Sequence, residues 1–204
     1  DGSVWTEMQV DPSGYAAKFG GITAFMELVL DAVEQASAAT GLGMSIVIAA
    51  NRTRHPLDAR TLARLAAKYA GRGVHGFGLS NDERRGDTSE FGPAFAIAER
   101  AGLKLTPHAG ELRGPAHVHQ VLKHLHPHRL GHGVRVAEDQ ELLAQIVAAG
   151  IALEVCPASN VSLGVYSSID EVPVRALKAA GAKVALGSDD PLLFGTRLAG
   201  QYAL

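Results

Sequence analysis

Three stretches of the chain carry a titratable side chain where an apolar run should simply turn away: "LKLTPHAGE", "RLGHG" and "ALGSDDP". In the first, Gly110 separates His108 from Glu111. A glycine there lets the backbone turn tightly, so imidazole and carboxylate can face one mouth. His108 by itself reads equally as a hydrogen-bonded core histidine; Glu111 three residues later tips the pair toward site chemistry. In the second, His132 stands between two glycines, which either admit a group close to the ring or form a tight turn that happens to contain histidine. In the third, neighbouring strand residues point to opposite faces, so Asp189 and Asp190 can share a site only where the strand ends, and Pro191 marks that end. One of the two could be an N-cap for the next helix, because Asp before Pro is a good helix start.

Two adjacent carboxylates after an apolar strand are costly unless a cation, donors or water meets them. His108 and Asp189 supply nitrogen and oxygen donors suited to Zn²⁺ or a similar first-row ion. Glu111, His132 and Asp190 would then form the acid–base set around a metal-bound hydroxide. Two protein ligands fall short of a catalytic zinc, so this reading requires further ligands.

The elements that would position these residues follow from the hydrophobic pattern. Strands are expected at 4–10, 43–50, 74–80, 103–109, 128–133, 151–156 and 183–189, several of them apolar on both faces. Amphipathic helices are expected at 22–39, 56–71, 90–101, 115–126, 138–149 and 170–180. In the first of these, Phe25, Leu28, Val29, Ala32 and Val33 form the apolar stripe. Strand and helix alternating every 25 to 35 residues or so is the pattern of parallel βα units. No GxGxxG follows the first strand and no GxxxxGK[ST] occurs, whereas polar residues gather at the C-terminal ends of strands. That distribution favours a (β/α)8 barrel over an open doubly wound sheet. It also implies a barrel from which one strand and the C-terminal helices are missing, within a single domain over 1–204.

Taken in order, "HAGE", "RLGHG", "LEVCPASN" and "SDDP" resemble the adenosine/adenine deaminase family of the amidohydrolase superfamily, and the resemblance runs from "VWTEMQVDP" to "SDDPLLFGT". It implies a barrel with one zinc that converts a 6-aminopurine, adenosine first, to its 6-oxo counterpart. By position, His108 and Asp189 match metal ligands. Glu111 matches the acid that protonates the purine ring, His132 the group that takes a proton from the attacking water, and Asp190 the carboxylate that orients this water. The family draws two more ligands from an H-x-H on a first strand that has no counterpart here. Asn81 falls where the family has a glycine whose backbone contacts the purine, so Asn81 and Asp190 are expected to meet the substrate. The alternatives are deamination of adenine or of a modified adenosine such as aminodeoxyfutalosine, or a non-catalytic relative that binds purine nucleosides.

Composition narrows the partners. A net charge of −2 gives no electrostatic case for nucleic acid or an anionic membrane. No apolar run reaches the roughly 18 residues of a membrane span. A lone cysteine, Cys156, excludes an intrachain disulfide and favours a reducing compartment, so a cytoplasmic location and a small-molecule partner are expected, with homo-oligomerisation left open. Cys156 reads as a small buried residue and not as a nucleophile. "AHVHQVLKHLHPH" holds five histidines, but His117 and His119 lie two apart on an expected helix, roughly 200° around its axis, so they read as a solvated face and not a ligand pair. Ser159 and Asn160 suit either substrate contact or turn capping.

Overall fold

A computed structural model describes residues 2–203. The chain divides into two compact units, one of residues 2–81 and 85–106, the other of residues 82–84 and 107–203.

The first unit opens with β1 (Trp5–Val10), a short helix α1 (Ala16–Phe19) and the long α2 (Ile22–Thr40), followed by β2 (Gly43–Asn51), α3 (Pro56–Lys68), β3 (Val74–Ser80) and α4 (Gly92–Arg100). β2 pairs in parallel with β1 on one edge and β3 on the other, with a register slip between Ile46 and Val47. Its centre, Ser45 to Ala50, is buried on both faces, as the unbroken apolar run requires. α2 seats Phe25 and Met26, and Leu28 of the expected stripe is 51% exposed. The buried face is turned by one position: Phe25 and Met26 open a row that continues through Val29, Leu30 and Val33, which a 3.6-residue period allows as readily as the row through Leu28 and Ala32.

β4 (Lys104–Ala109) begins in the first unit and ends in the second. There follow α5 (Pro115–Leu125), β5 (Arg129–His132), α6 (Gln140–Ala149), β6 (Ala152–Val155), α7 (Pro157–Ser162), α8 (Val174–Ala179), β7 (Lys183–Leu186), α9 (Pro191–Phe194) and α10 (Leu198–Tyr202). β5 pairs in parallel with β4 and with β6, and β6 with β7, so strand order follows chain order. Leu130, Leu153, Val155 and Ile146 form the centre of this unit's core. α5, α7 and α9 each start on proline, whose missing N–H is no loss at that position. The seven expected strands are all present and parallel in every pair described above, and the class is α/β. The last strand is shorter than expected, ending at Leu186, because Gly187 to Asp190 leave the ladder before the helix. None of the described helices is long and apolar enough to cross a membrane.

Candidate active site

The second unit brings five of the six expected site residues, His108, Glu111, His132, Asp189 and Asp190, to the C-terminal ends of β4, β5 and β7. β4 and β5 are in register with His108 opposite Gly131 and Ala109 opposite His132. A side chain at 131 is excluded, since its Cβ would stand 2.8 Å from His108 Nδ1. Glycine there lets the His108 ring settle edge-on against His132, with centroids 4.9 Å apart. Past β4, Gly110 takes φ of 71° and turns the chain, and Glu111 follows in a buried position.

Glu111, His132 and Asn160 form a buried triangle. Asn160 Nδ2 donates to Glu111 Oε1 at 3.1 Å and lies 3.3 Å from His132 Nδ1, which is 3.2 Å from Glu111 Oε1. Burial pushes the Glu111 carboxyl up to about 8, helped by the charges of Glu83 and Asp189 and opposed by the Asn160 hydrogen bond. Burial also drives His132 down to about 4. At neutral pH the acid therefore keeps its proton and the imidazole is neutral. Their contact is then one between neutral groups and not an ion pair.

Two residues of this region lie in the left-handed part of backbone space without being glycine: His132 at φ 64° and Asp189 at φ 56°. Such positions carry on the order of 1 kcal/mol of strain each, and they concentrate where side-chain direction matters more than backbone comfort. At Asp189 the turn brings the carboxylate beside Cys156 and His132, with one donor atom from each of the three within 4.8 Å of the others. The Asp189 N–H also reaches the Cys156 thiol. Burial, with the Asp189 charge beside it, holds that thiol up at about 12, so it is an uncharged group in the absence of a cation.

The nitrogen, oxygen and sulfur donors of His132, Asp189 and Cys156, with the His108 ring against His132, make a donor set of the kind zinc takes. Of the expected pair, Asp189 is brought within ligand range of His132 and Cys156, and His108 adjoins this group through its ring contact with His132. Asp190 does what a residue before Pro191 can do: its Oδ1 accepts the N–H groups of Leu192 and Leu193 at 3.0 and 2.9 Å, capping α9. Asn81 follows β3 in the other unit, with φ of 78°.

The model of the adenosine deaminase family matches residues 1–204. The chain belongs to the adenosine deaminase family. A Streptomyces virginiae protein provisionally named adenosine/adenine deaminase is 59% identical over 204 residues, covering all of this chain and 60% of that protein. An adenine deaminase of Mesorhizobium japonicum is 39% identical over 203 residues, covering 99% of this chain and 62% of that protein. The solved adenine deaminase of Arthrobacter aurescens superposes with a TM-score of 0.89 at 28% identity, over 98% of this chain and 61% of that one. The chain therefore spans about 60% of the length of these curated relatives, and its seven strands are those of the deaminase barrel.

Within this family member, three residues take parts that their sequence context concealed. Asn160 and Ser159 were equivalent candidates; the first joins the triangle, while Ser159 Oγ bonds the Cys156 carbonyl at 3.0 Å and serves the turn of α7. His117 is buried at 1% exposure and does not belong to the solvated face expected for it. Its partner explains the difference: Glu83, from the polar segment "SNDERRGD", is buried against it. A fully buried glutamate inside a charged loop leaves no periodicity to detect. The only available signal was that Glu83 lies two residues beyond Asn81.

Proposed function

We propose that this chain carries the greater part of a zinc-dependent deaminase that hydrolyses the exocyclic amino group of a 6-aminopurine. The relatives' names support adenine beside adenosine, which the sequence placed first. The observation that carries the reading is the buried triangle of Glu111, His132 and Asn160 next to Asp189.

Proton donation to a purine ring nitrogen requires an acid still protonated at neutral pH, and a carboxyl raised to about 8 meets that requirement. The proton on the ring draws electrons from the neighbouring amino-bearing carbon. His132, neutral and therefore able to accept, takes a proton from the attacking water. A C–O bond forms, the C–N bond to the amino group breaks, and the leaving nitrogen receives a proton as ammonia. Asn160 holds the Glu111 carboxyl in place through Nδ2. His108 and Asp189 are the proposed metal ligands, and a zinc ion bound there would supply acidification of the attacking water. Asp190 is proposed to orient that water through the carboxylate oxygen its helix cap leaves over.

The test is ammonia release by the full-length, zinc-loaded protein presented with adenine, adenosine and aminodeoxyfutalosine. Release from at least one, with a 6-oxopurine product, is the expected result. No release from any of them would overturn the reading.

A further inference from the structure

One buried charge lies outside the proposed chemistry. The Glu83 side chain is fully buried, although its neighbours Asn81, Arg84 and Arg85 are exposed. Its carboxylate accepts the Glu111 N–H at 3.2 Å through Oε1 and 3.3 Å through Oε2, and the Arg113 N–H at 2.7 Å through Oε2. His117 Nδ1, on the first turn of α5, stands 3.6 Å from Oε2. Residues 82–84 belong to the same compact unit as 107–203, so the arrangement is internal to that unit.

Burying a carboxylate is unfavourable unless donors replace its water, and backbone N–H groups aimed at an anion are strong donors. Burial works against the charge, yet the His117 contact and the two backbone donors outweigh it and hold Glu83 below the usual carboxylate range. Glu83 is therefore an anion at neutral pH. The segment it grips begins one residue after Gly110, where the backbone has its greatest freedom. Among the described residues, both acceptors of the Glu111 N–H are Glu83 oxygens. The Arg113 N–H meets the same Oε2, so the carboxylate spans residues 111–113 as a clamp.

We propose that Glu83, seated by His117, is a positioning residue that fixes the backbone of the Glu111 turn and so aims the Glu111 carboxyl at the reacting ring. The inference rests on the proposed deaminase reading for its kinetic part only. A misplacement of about 1 Å in a reacting group can lower the rate on the order of 100-fold.

The test uses Glu83→Gln, whose Nε2 would face backbone donors with a donor of its own, and His117→Gln as a milder companion. Amide hydrogen exchange at Glu111 and Arg113 is measured together with kcat, KM and zinc content. In Glu83→Gln the two amides should lose at least about tenfold in protection. The kcat should fall on the order of 100-fold, with KM within about threefold and zinc retained. Combined with Glu111→Gln, the second substitution should add almost nothing to the first, because both act through one group. His117→Gln should give the same pattern at about a tenth of the loss, and it carries the test if Glu83→Gln does not fold. Unchanged protection, unchanged kcat in either variant that folds, multiplicative losses in the double variant, or a loss traced to zinc content would each overturn the inference. If the parent protein releases no ammonia, the deaminase reading fails alone, and the exchange data still decide whether the clamp exists.

Discussion

The ends of β4 and β7 both deliver a carboxylate to the same region, but they hold it in opposite ways. After β4, Glu111 is buried, gripped through its backbone by Glu83 and through its side chain by Asn160. After β7, Asp189 and Asp190 are exposed, and the local structure consists of a left-handed residue, a cap and a one-turn helix. The difference suits the roles proposed above, an acid at Glu111 and a metal ligand at Asp189. An acid must keep its proton at neutral pH, which needs burial and a fixed dielectric around it. A metal ligand must stay ionised, and exposure to water costs it nothing.

The contrast can be broken most sharply at β7. Asp189→Asn retains the left-handed turn, which asparagine tolerates, and removes only the charge. Zinc content should fall well below one per chain and ammonia release by about 10³-fold or more, with Tm nearly unchanged when variant and parent are both metal-stripped; metal analysis beside melting curves of the stripped proteins checks both. A large drop in Tm would mean that this end is a structural corner and not a ligand. Next is Glu111→Gln at β4, expected to lower kcat by about 10² to 10⁴ with zinc retained, as a missing general acid does. Retained kcat would remove the acid role from this position. Asn160→Ala should cost about 1–3 kcal/mol of stability, read from denaturant unfolding, because it strips a buried carboxyl of its donor.

The two environments also differ in pH dependence. Glu111 keeps its proton in the folded state up to about 8, while the unfolded chain releases it near 4.5, so unfolding free energy should fall as pH rises through that window. His132 works the other way between about 4 and 6.5, where only the unfolded chain takes up a proton. The two slopes oppose each other below 6.5, leaving a net fall on the order of 1 kcal/mol per unit from 6.5 to 8. Glu111→Gln in metal-stripped protein should abolish that fall. The smallest effect belongs to Asp190→Ser. Serine caps a helix about as well, so stability should move by no more than about 0.5 kcal/mol. Any drop in kcat would then report a role for Asp190 beyond the cap.

The same contrast explains what could be read from residues alone. The strands, their parallel order and the polar strand ends were legible because apolar runs and glycine or proline punctuation encode them locally. Asp189 and His132 were legible as titratable groups out of place in such runs. Glu83 and His117 were not, since each sits among residues of its own polarity and becomes meaningful only opposite the other. Cys156 was legible as buried, but its place beside Asp189 depends on the turn at Gly187 to Asp189, which no periodicity describes. Leu28 shows a milder version: a helical stripe can be counted correctly and still be placed one residue off.

The clamp at Glu83 also has a kinetic consequence for how the molecule comes together. Its contacts reach 28, 30 and 34 positions ahead, to residues 111, 113 and 117. No local helix or hairpin can form them early; the intervening chain, with α4 and the whole of β4, must first be closed into a loop. Competence of the Glu111 turn should therefore lag behind the appearance of helical signal during refolding, as a late step with its own rate.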